Sequence, residues 1–121
     1  MEKRILIIDD EPDVRGLLKV RLTANRFQVL EAGDGPSGIS IAKQNKPDLI
    51  LLDILMPGMG GIETYRALKS DPVTQDTPII FLTALAQSMA PTESRLKGYA
   101  MLGKPYQPEE LLQEIRKNLG E

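Results

Sequence analysis

Cysteine and histidine are both absent from this chain of 121 residues. Without cysteine there is no disulfide framework and no thiolate zinc site, and the absence fits a reducing cytoplasm, where we expect the protein. Without histidine there is no imidazole to act as a general base or as a metal ligand. Any bound metal must therefore use oxygen ligands, which favours Mg²⁺, Ca²⁺ or Mn²⁺.

Strong charge and long apolar runs are absent as well. The net formal charge is -2 and the basic residues form no run, so we expect no direct contact with nucleic acid. The apolar segment that follows Arg4 is too short for a signal peptide or a membrane span. The length allows one domain with one core, and we expect that domain to cover residues 1–121.

Five short apolar runs alternate with segments of helical spacing. The predicted strands are residues 5–8, 28–32, 49–52, 78–82 and 100–102. The first predicted helix has Pro12 in its first turn and Val14, Leu17, Leu18 and Leu22 as apolar positions. The second covers 36–46, the third contains Ile62, Tyr65 and Leu68, and the fourth lies between 87 and 97. The last begins near Pro108 and ends at a cap at Gly120. This alternation predicts an α/β fold, a parallel sheet with helices on both faces.

Polar side chains stand where the predicted strands end. Asp9 and Asp10 follow the first strand, Asp53 ends the third, Thr83 ends the fourth and Lys104 follows the fifth. Right-handed crossovers bring these strand ends to one edge of the sheet, where open α/β folds bind ligands. Each residue alone is more often a helix cap or turn residue, but five together indicate a site. Carboxylates about 4 Å apart repel by roughly 4 kcal/mol at an effective dielectric near 20, so the cluster needs a cation.

Four motifs in this order and at these separations resemble the receiver domains of bacterial response regulators, in the CheY-like superfamily. They are Ile7-Ile8-Asp9-Asp10-Glu11, Leu51-Leu52-Asp53-Ile54-Leu55-Met56-Pro57 with Gly60-Gly61, Phe81-Leu82-Thr83-Ala84 and Leu102-Gly103-Lys104-Pro105-Tyr106. The resemblance covers nearly the whole chain. It implies a doubly wound, five-stranded parallel sheet of flavodoxin-like order 2-1-3-4-5. It also implies a switch of two-component signalling, phosphorylated by a sensor histidine kinase or a phosphotransfer domain.

The resemblance assigns roles to individual residues. Asp53 is the phosphoacceptor, and Lys104 pairs first with Asp53 and then with the phosphoryl oxygens. The Thr83 hydroxyl and the Ala84 backbone amide bind another phosphoryl oxygen. An aspartate is ionised at neutral pH and needs no general base, so the step needs mainly positioning and charge neutralisation. The chain would thus catalyse only its own phosphorylation and dephosphorylation and would not be an enzyme in the usual sense.

The resemblance also implies a metal site and partners. Asp10 and Asp53 would bind Mg²⁺ directly together with the backbone carbonyl of Leu55, and Asp9 would act through water. Mn²⁺ would also fit these oxygen ligands. The phosphorylated chain would present a changed surface to an output domain or protein, and a phosphorylation-dependent homodimer is compatible with this.

Some positions depart from the usual pattern of the family. Met101 stands where the family usually has Tyr or Phe, three residues before Lys104. Pro91 falls in the expected fourth helix, so we expect that helix to start late and residues 84–90 to be poorly ordered or displaced. Leu55 and Leu85 stand two residues after Asp53 and Thr83, respectively. In the family, the side chains at these two positions border the path of the water that hydrolyses the acyl phosphate. Leucine cannot hydrogen-bond a water, so we expect a long-lived phosphorylated state. We interpret Gly58, Gly60 and Gly61 as a turn that frees the loop after Asp53.

Other functions fit the residues less well. A pseudo-receiver that is never phosphorylated remains the alternative, although it would not need Asp9, Asp10, Asp53, Thr83 and Lys104 together. A phosphatase of the haloacid dehalogenase type needs a second aspartate where this chain has Leu55. A flavin-binding protein of the same architecture would bind phosphate after the first strand, where the acidic residues 9–11 would repel it.

Overall fold

The computed structural model describes residues 2–83, 100–103 and 107–120, and for Thr83, Ala100 and Met101 it describes the backbone alone. We number the described strands and helices in chain order. They are β1 (Arg4–Ile8), α1 (Pro12–Ala24), β2 (Gln28–Ala32), α2 (Gly35–Asn45), β3 (Leu49–Asp53), α3 (Gly61–Lys69), β4 (Ile79–Thr83), β5 (Ala100–Gly103) and α4 (Pro108–Asn118). The helix predicted between 87 and 97, with its delayed start at Pro91, lies outside the described residues.

The strands form one parallel sheet in the order β2-β1-β3-β4-β5. This confirms the predicted fold class and strand order. The order along the sheet reverses at β1, which has β2 on one side and β3 on the other, so the connections leave in opposite directions. A crevice forms at such a switch point, at the carboxyl ends of the strands. Ile8 lies opposite Leu52 in the register, so the residues after β1 lie beside the end of β3.

The sheet is buried on both faces, as the unbroken apolar runs predict. On one face, Ile5 and Ile7 of β1 join a cluster that includes residues of α1 and α4. On the other face, Leu6 and Ile8 join a cluster that includes residues of α2 and α3. These four side chains are at most 1% exposed. In the described part of the chain, no helix is both long and apolar enough to cross a bilayer.

The apolar face of α1 is narrower than the sequence suggests. Leu18 and Leu22 are buried and Val14 packs against them, but Leu17 is 54% exposed. The expectation that Leu17 shares this face is wrong. Successive helical residues are turned by about 100°, so the row at 14, 18 and 22 faces the sheet and Leu17 falls beside it. Pro12 does lie at the start of the helix, as predicted.

Lys46 ends α2 in a conformation that suits glycine better. Its φ is 47° and its ψ is 65°, in the left-handed region, and its amide donates to the carbonyl of Ala42. A side chain in this region costs about 1–2 kcal/mol, whereas glycine is free of that cost but loses more entropy on folding. We expect Lys46→Gly to raise the free energy of unfolding by about 0.5–1 kcal/mol in urea titrations. The same change at Gln44, inside α2, should lower it by about 1 kcal/mol. A loss at Lys46 would contradict the strain argument.

Candidate functional site

Three carboxylates meet where β1 and β3 end. Asp9 and Asp10 directly follow β1, and Asp53 is the last residue of β3. One carboxylate oxygen from each of the three lies within 4.8 Å of the other two. Asp9 is 1% exposed and Asp53 is 5% exposed, whereas Asp10 is half-buried. The sequence therefore predicted a cluster that the fold does bring together, with Asp10 as its most accessible member.

The turn after β1 is fixed by hydrogen bonds around Asp9. The Asp9 amide donates to the carbonyl of Ala32 on β2 at 3.1 Å, which extends the ladder of the sheet by one residue. The Asp9 Oδ1 atom accepts from the amide of Glu11 at 2.9 Å. The Asp9 carbonyl accepts from Nη1 of Arg15 at 2.6 Å. The sequence interpretation missed Arg15, because its contact depends on how α1 docks against the strand ends.

The Asp53 carboxylate is held by the backbone of the loop that follows β3. Its Oδ1 atom accepts from the amide of Leu55 at 3.3 Å, and the amide of Ile54 donates to the carbonyl of Leu82 on β4 at 3.4 Å. The Leu55 side chain is 51% exposed. The loop therefore leaves β3 with the Asp53 carboxylate hydrogen-bonded to the loop backbone and with the Leu55 side chain half-exposed to solvent.

Gly61 anchors this loop. It is the first residue of α3, and its amide donates to the carbonyl of Ile54 at 3.0 Å. A Cβ atom at this position would collide with the carbonyl oxygen of Asp53 and the Cα of Ile54. Gly58 has a φ of 72° and lies in a bend of this loop. The interpretation of Gly61 as a residue that frees the loop is therefore wrong, since the missing side chain is what lets α3 start against Asp53.

We expect Gly61→Ala to lower the free energy of unfolding by about 1–3 kcal/mol, because rigid backbone atoms must move to admit the new methyl group. Urea unfolding would measure this. Gly16 provides the matched control, since a Cβ there would have no atom within 4 Å. Gly16→Ala in α1 should raise the stability by about 0.4–1 kcal/mol. Equal effects at the two glycines would refute the close-approach argument.

The donor set fits a hard divalent cation. The three carboxylates supply only oxygen atoms, which Mg²⁺ and Ca²⁺ prefer. Their mutual repulsion would be relieved by such a cation, most strongly for the two buried members, because a lower local dielectric strengthens charge interactions. The half-buried Asp10 would leave room for waters and for one further ligand, and Mg²⁺ keeps several waters in protein sites.

Other predicted site residues are only partly described. The backbone of Thr83 ends β4 opposite Gly103 of β5, but its side chain is outside the description. Ala84 and Lys104 lie outside the described residues, as do Leu85 and the side chain of Met101. Their predicted roles therefore stay predictions.

Comparison with known proteins identifies the family. Residues 5–116 match the response regulator receiver domain. The chain is 48% identical over 86 residues to response regulator PleD of Caulobacter vibrioides, which covers 70% of this chain and 19% of PleD. It is 37% identical over 119 residues to the phosphate regulon transcriptional regulatory protein PhoB of Pseudomonas aeruginosa, which covers 94% of this chain and 50% of PhoB. The chain thus spans half or less of these two curated relatives.

A solved structure gives the same result. The chemotaxis protein CheY4 of Vibrio cholerae superposes with a TM-score of 0.86 at 26% identity, covering 97% of this chain and 98% of CheY4. The family match extends over most of the sequence and includes both Asp9-Asp10 and Asp53. These findings do not favour the pseudo-receiver alternative. The chain belongs to the response regulator receiver domain family, the phosphorylation-based switches of two-component signalling.

Proposed function

We propose that this chain is a single receiver domain whose Asp53 takes a phosphoryl group, in a Mg²⁺-dependent reaction, from a sensor histidine kinase or a phosphotransfer domain. The observation that carries the proposal is the juxtaposition of the buried Asp53 carboxylate with Asp9 and Asp10 at the switch point of the sheet. In this arrangement one oxygen of Asp53 can act as nucleophile while the rest of the carboxylate cluster binds a cation.

The chemical step is a displacement at phosphorus. A carboxylate oxygen of Asp53 bonds to phosphorus while the phosphorus–nitrogen bond of the donor phosphohistidine breaks. The imidazole leaves with the bonding electron pair and takes up a proton from solvent. A carboxylate has no proton to be removed before it attacks, so Asp53 in this form needs no general base. The amide of Leu55, 3.3 Å from Oδ1, restrains the carboxylate and so reduces the entropy lost in reaching the attacking geometry.

In the proposed metal site, Asp10, Asp53 and the backbone carbonyl of Leu55 would hold Mg²⁺ directly, and Asp9 would act through water. Mn²⁺ suits the same oxygen ligands. Bound metal supplies charge neutralisation at the phosphoryl oxygens, which is the main requirement of phosphoryl transfer. The hydrogen bond from Glu11 to Asp9 and the one from Leu55 to Asp53 keep these carboxylates in place before metal or donor arrives.

Three further residues complete the proposed site. Lys104 pairs with Asp53 and then with the phosphoryl oxygens, while the Thr83 hydroxyl and the Ala84 amide bind another phosphoryl oxygen. They are carried over from the family motif. Phosphorylation and its loss are catalysed by the chain itself. The consequence is a changed output surface for a downstream domain or protein, or for a second copy of the chain, in the cytoplasm.

Labelling by a small phosphodonor tests the proposal. The purified chain is incubated with acetyl phosphate or phosphoramidate, with Mg²⁺ or with EDTA, and its intact mass is measured. We expect one added phosphate per chain with Mg²⁺ and none in EDTA. No phosphate in the presence of Mg²⁺ would favour the pseudo-receiver alternative. Equal labelling in EDTA would overturn the metal requirement and leave the phosphoacceptor role intact.

A further inference from the structure

Arg15 connects α1 to the ends of β1 and β2. Its Nη1 atom donates to the backbone carbonyl of Asp9 at 2.6 Å, and its Nε atom lies 3.5 Å from Oε1 of Glu31. The guanidinium also lies against Gly33, where a Cβ would come within 3.3 Å of Nη1. The Arg15 side chain is only 20% exposed. The guanidinium is thus held by partners at the ends of two neighbouring strands, the Asp9 carbonyl after β1 and the Glu31 carboxylate of β2.

We propose that Arg15 is a positioning residue for metal binding, acting through the peptide that joins Asp9 to Asp10. This inference rests on the proposed function, since it assumes that the two carboxylates bind Mg²⁺. The carbonyl that Arg15 holds belongs to that peptide, so its direction fixes the backbone rotation of both aspartates. The Glu11 amide also holds Asp9, but it bonds to the side-chain carboxylate. Arg15 lies one helical turn into α1 and bonds to the backbone carbonyl.

The sign of the effect separates positioning from simple electrostatics. A cation close to the acidic cluster repels Mg²⁺, so if Arg15 acted only through its charge, its removal would tighten Mg²⁺ binding. If Arg15 orients the ligands, its removal weakens binding. Residues that orient metal ligands typically change metal affinity by about 10–100-fold when replaced. That range is larger than the gain expected from losing one partly exposed charge.

The geometry also requires arginine and not merely a cation. The planar guanidinium presents several donors in a fixed fork and can bind the Asp9 carbonyl and the Glu31 carboxylate together, whereas lysine carries a point charge on a flexible stem. Lys19 approaches the other oxygen of Glu31 at 3.5 Å, and its side chain is 55% exposed. It offers a matched control, because its replacement removes one positive charge from the same carboxylate.

The experiment measures the Mg²⁺ dissociation constant by calorimetry for the full chain, and urea unfolding in EDTA for the same proteins. We expect Arg15→Met to raise the dissociation constant about tenfold. Arg15→Lys should also raise it, by at least about threefold, because charge without the fork does not restore the geometry. Lys19→Met should leave it unchanged within about twofold or make it lower, as expected for the loss of a screened surface charge.

An unchanged or lower dissociation constant in Arg15→Met would overturn the inference. So would a loss of stability in EDTA with unchanged Mg²⁺ affinity, which would mark Arg15 as a purely structural residue. If Arg15→Met does not fold, Arg15→Lys decides by the same criteria. A wild-type chain that binds no Mg²⁺ would overturn the proposed metal site and this inference with it. Weakened binding that is confined to the Arg15 variants supports both.

Discussion

The Asp53→Asn chain is expected to take up no phosphate from acetyl phosphate or phosphoramidate, whereas the wild-type chain takes up one. The carboxamide is uncharged and is a poor nucleophile, although it has nearly the same shape as the carboxylate. Asp9 and Asp10 have oxygens within 4.8 Å of Asp53, so among the described residues they are the ones most able to substitute for it. Intact mass after incubation with Mg²⁺ measures the total, and peptide mapping locates any residual label.

Asp48→Asn is the matched control for this prediction. Asp48 accepts a hydrogen bond from the amide of Arg4 at 2.8 Å, and it precedes β3 whereas Asp53 ends that strand. It should label like the wild type. Circular dichroism should show that both variants are folded. Full labelling of Asp53→Asn would place the phosphoacceptor elsewhere and would contradict the role that we assign to the end of β3.

Replacing Leu55 by asparagine should speed loss of the phosphoryl group about a hundredfold, which corresponds to about 2.7 kcal/mol in the barrier. Hydrolysis needs a water in line with the phosphorus–oxygen bond. The Leu55 side chain is 51% exposed, and its amide lies 3.3 Å from the Asp53 carboxylate. Leucine has no donor or acceptor with which to orient that water, whereas asparagine has both. The wild-type phosphoprotein should therefore be long-lived.

Leu55→Met controls for a change of side chain without new polarity. It should lose phosphate about as slowly as the wild type, because methionine is similarly apolar and offers only a weak acceptor. The rates are measured by intact mass at intervals after the phosphodonor is removed. Equal rates for the asparagine and methionine variants would mean that Leu55 merely packs against the loop. Leu85 lies outside the described residues, and the same argument predicts faster loss of the phosphoryl group in Leu85→Glu.

The fold is where the sequence is most informative. The run over 5–8 contains only isoleucine and leucine, which predicts a strand buried on both faces, and these residues are at most 1% exposed. The last helix begins at Pro108, and Gly120 beyond its end has a φ of 80°, as expected for a C-terminal glycine. Such patterns are local: a strand or helix is specified by residues within a few positions of one another.

The convergence of the acidic residues was also predictable. Asp9 and Asp10 follow β1 and Asp53 ends β3, and parallel strands on either side of a switch point bring their carboxyl ends together. The sequence indicates which side chains share an edge of the sheet. The separation of less than 4.8 Å, and the burial of two of the three carboxylates, come from the register of β1 against β3.

Only the tertiary structure decided how that edge is held. Gly61 looks like any glycine of a loop until α3 is placed against the carbonyl of Asp53. Arg15 looks like an ordinary exposed helical residue until Glu31 and the Asp9 carbonyl surround its guanidinium. The exposure of Leu17 likewise depends on the angle at which α1 meets the sheet. The local sequence pattern specifies strands, helices and the residues that end them, whereas these contacts join segments far apart in the chain and form only when the helices dock.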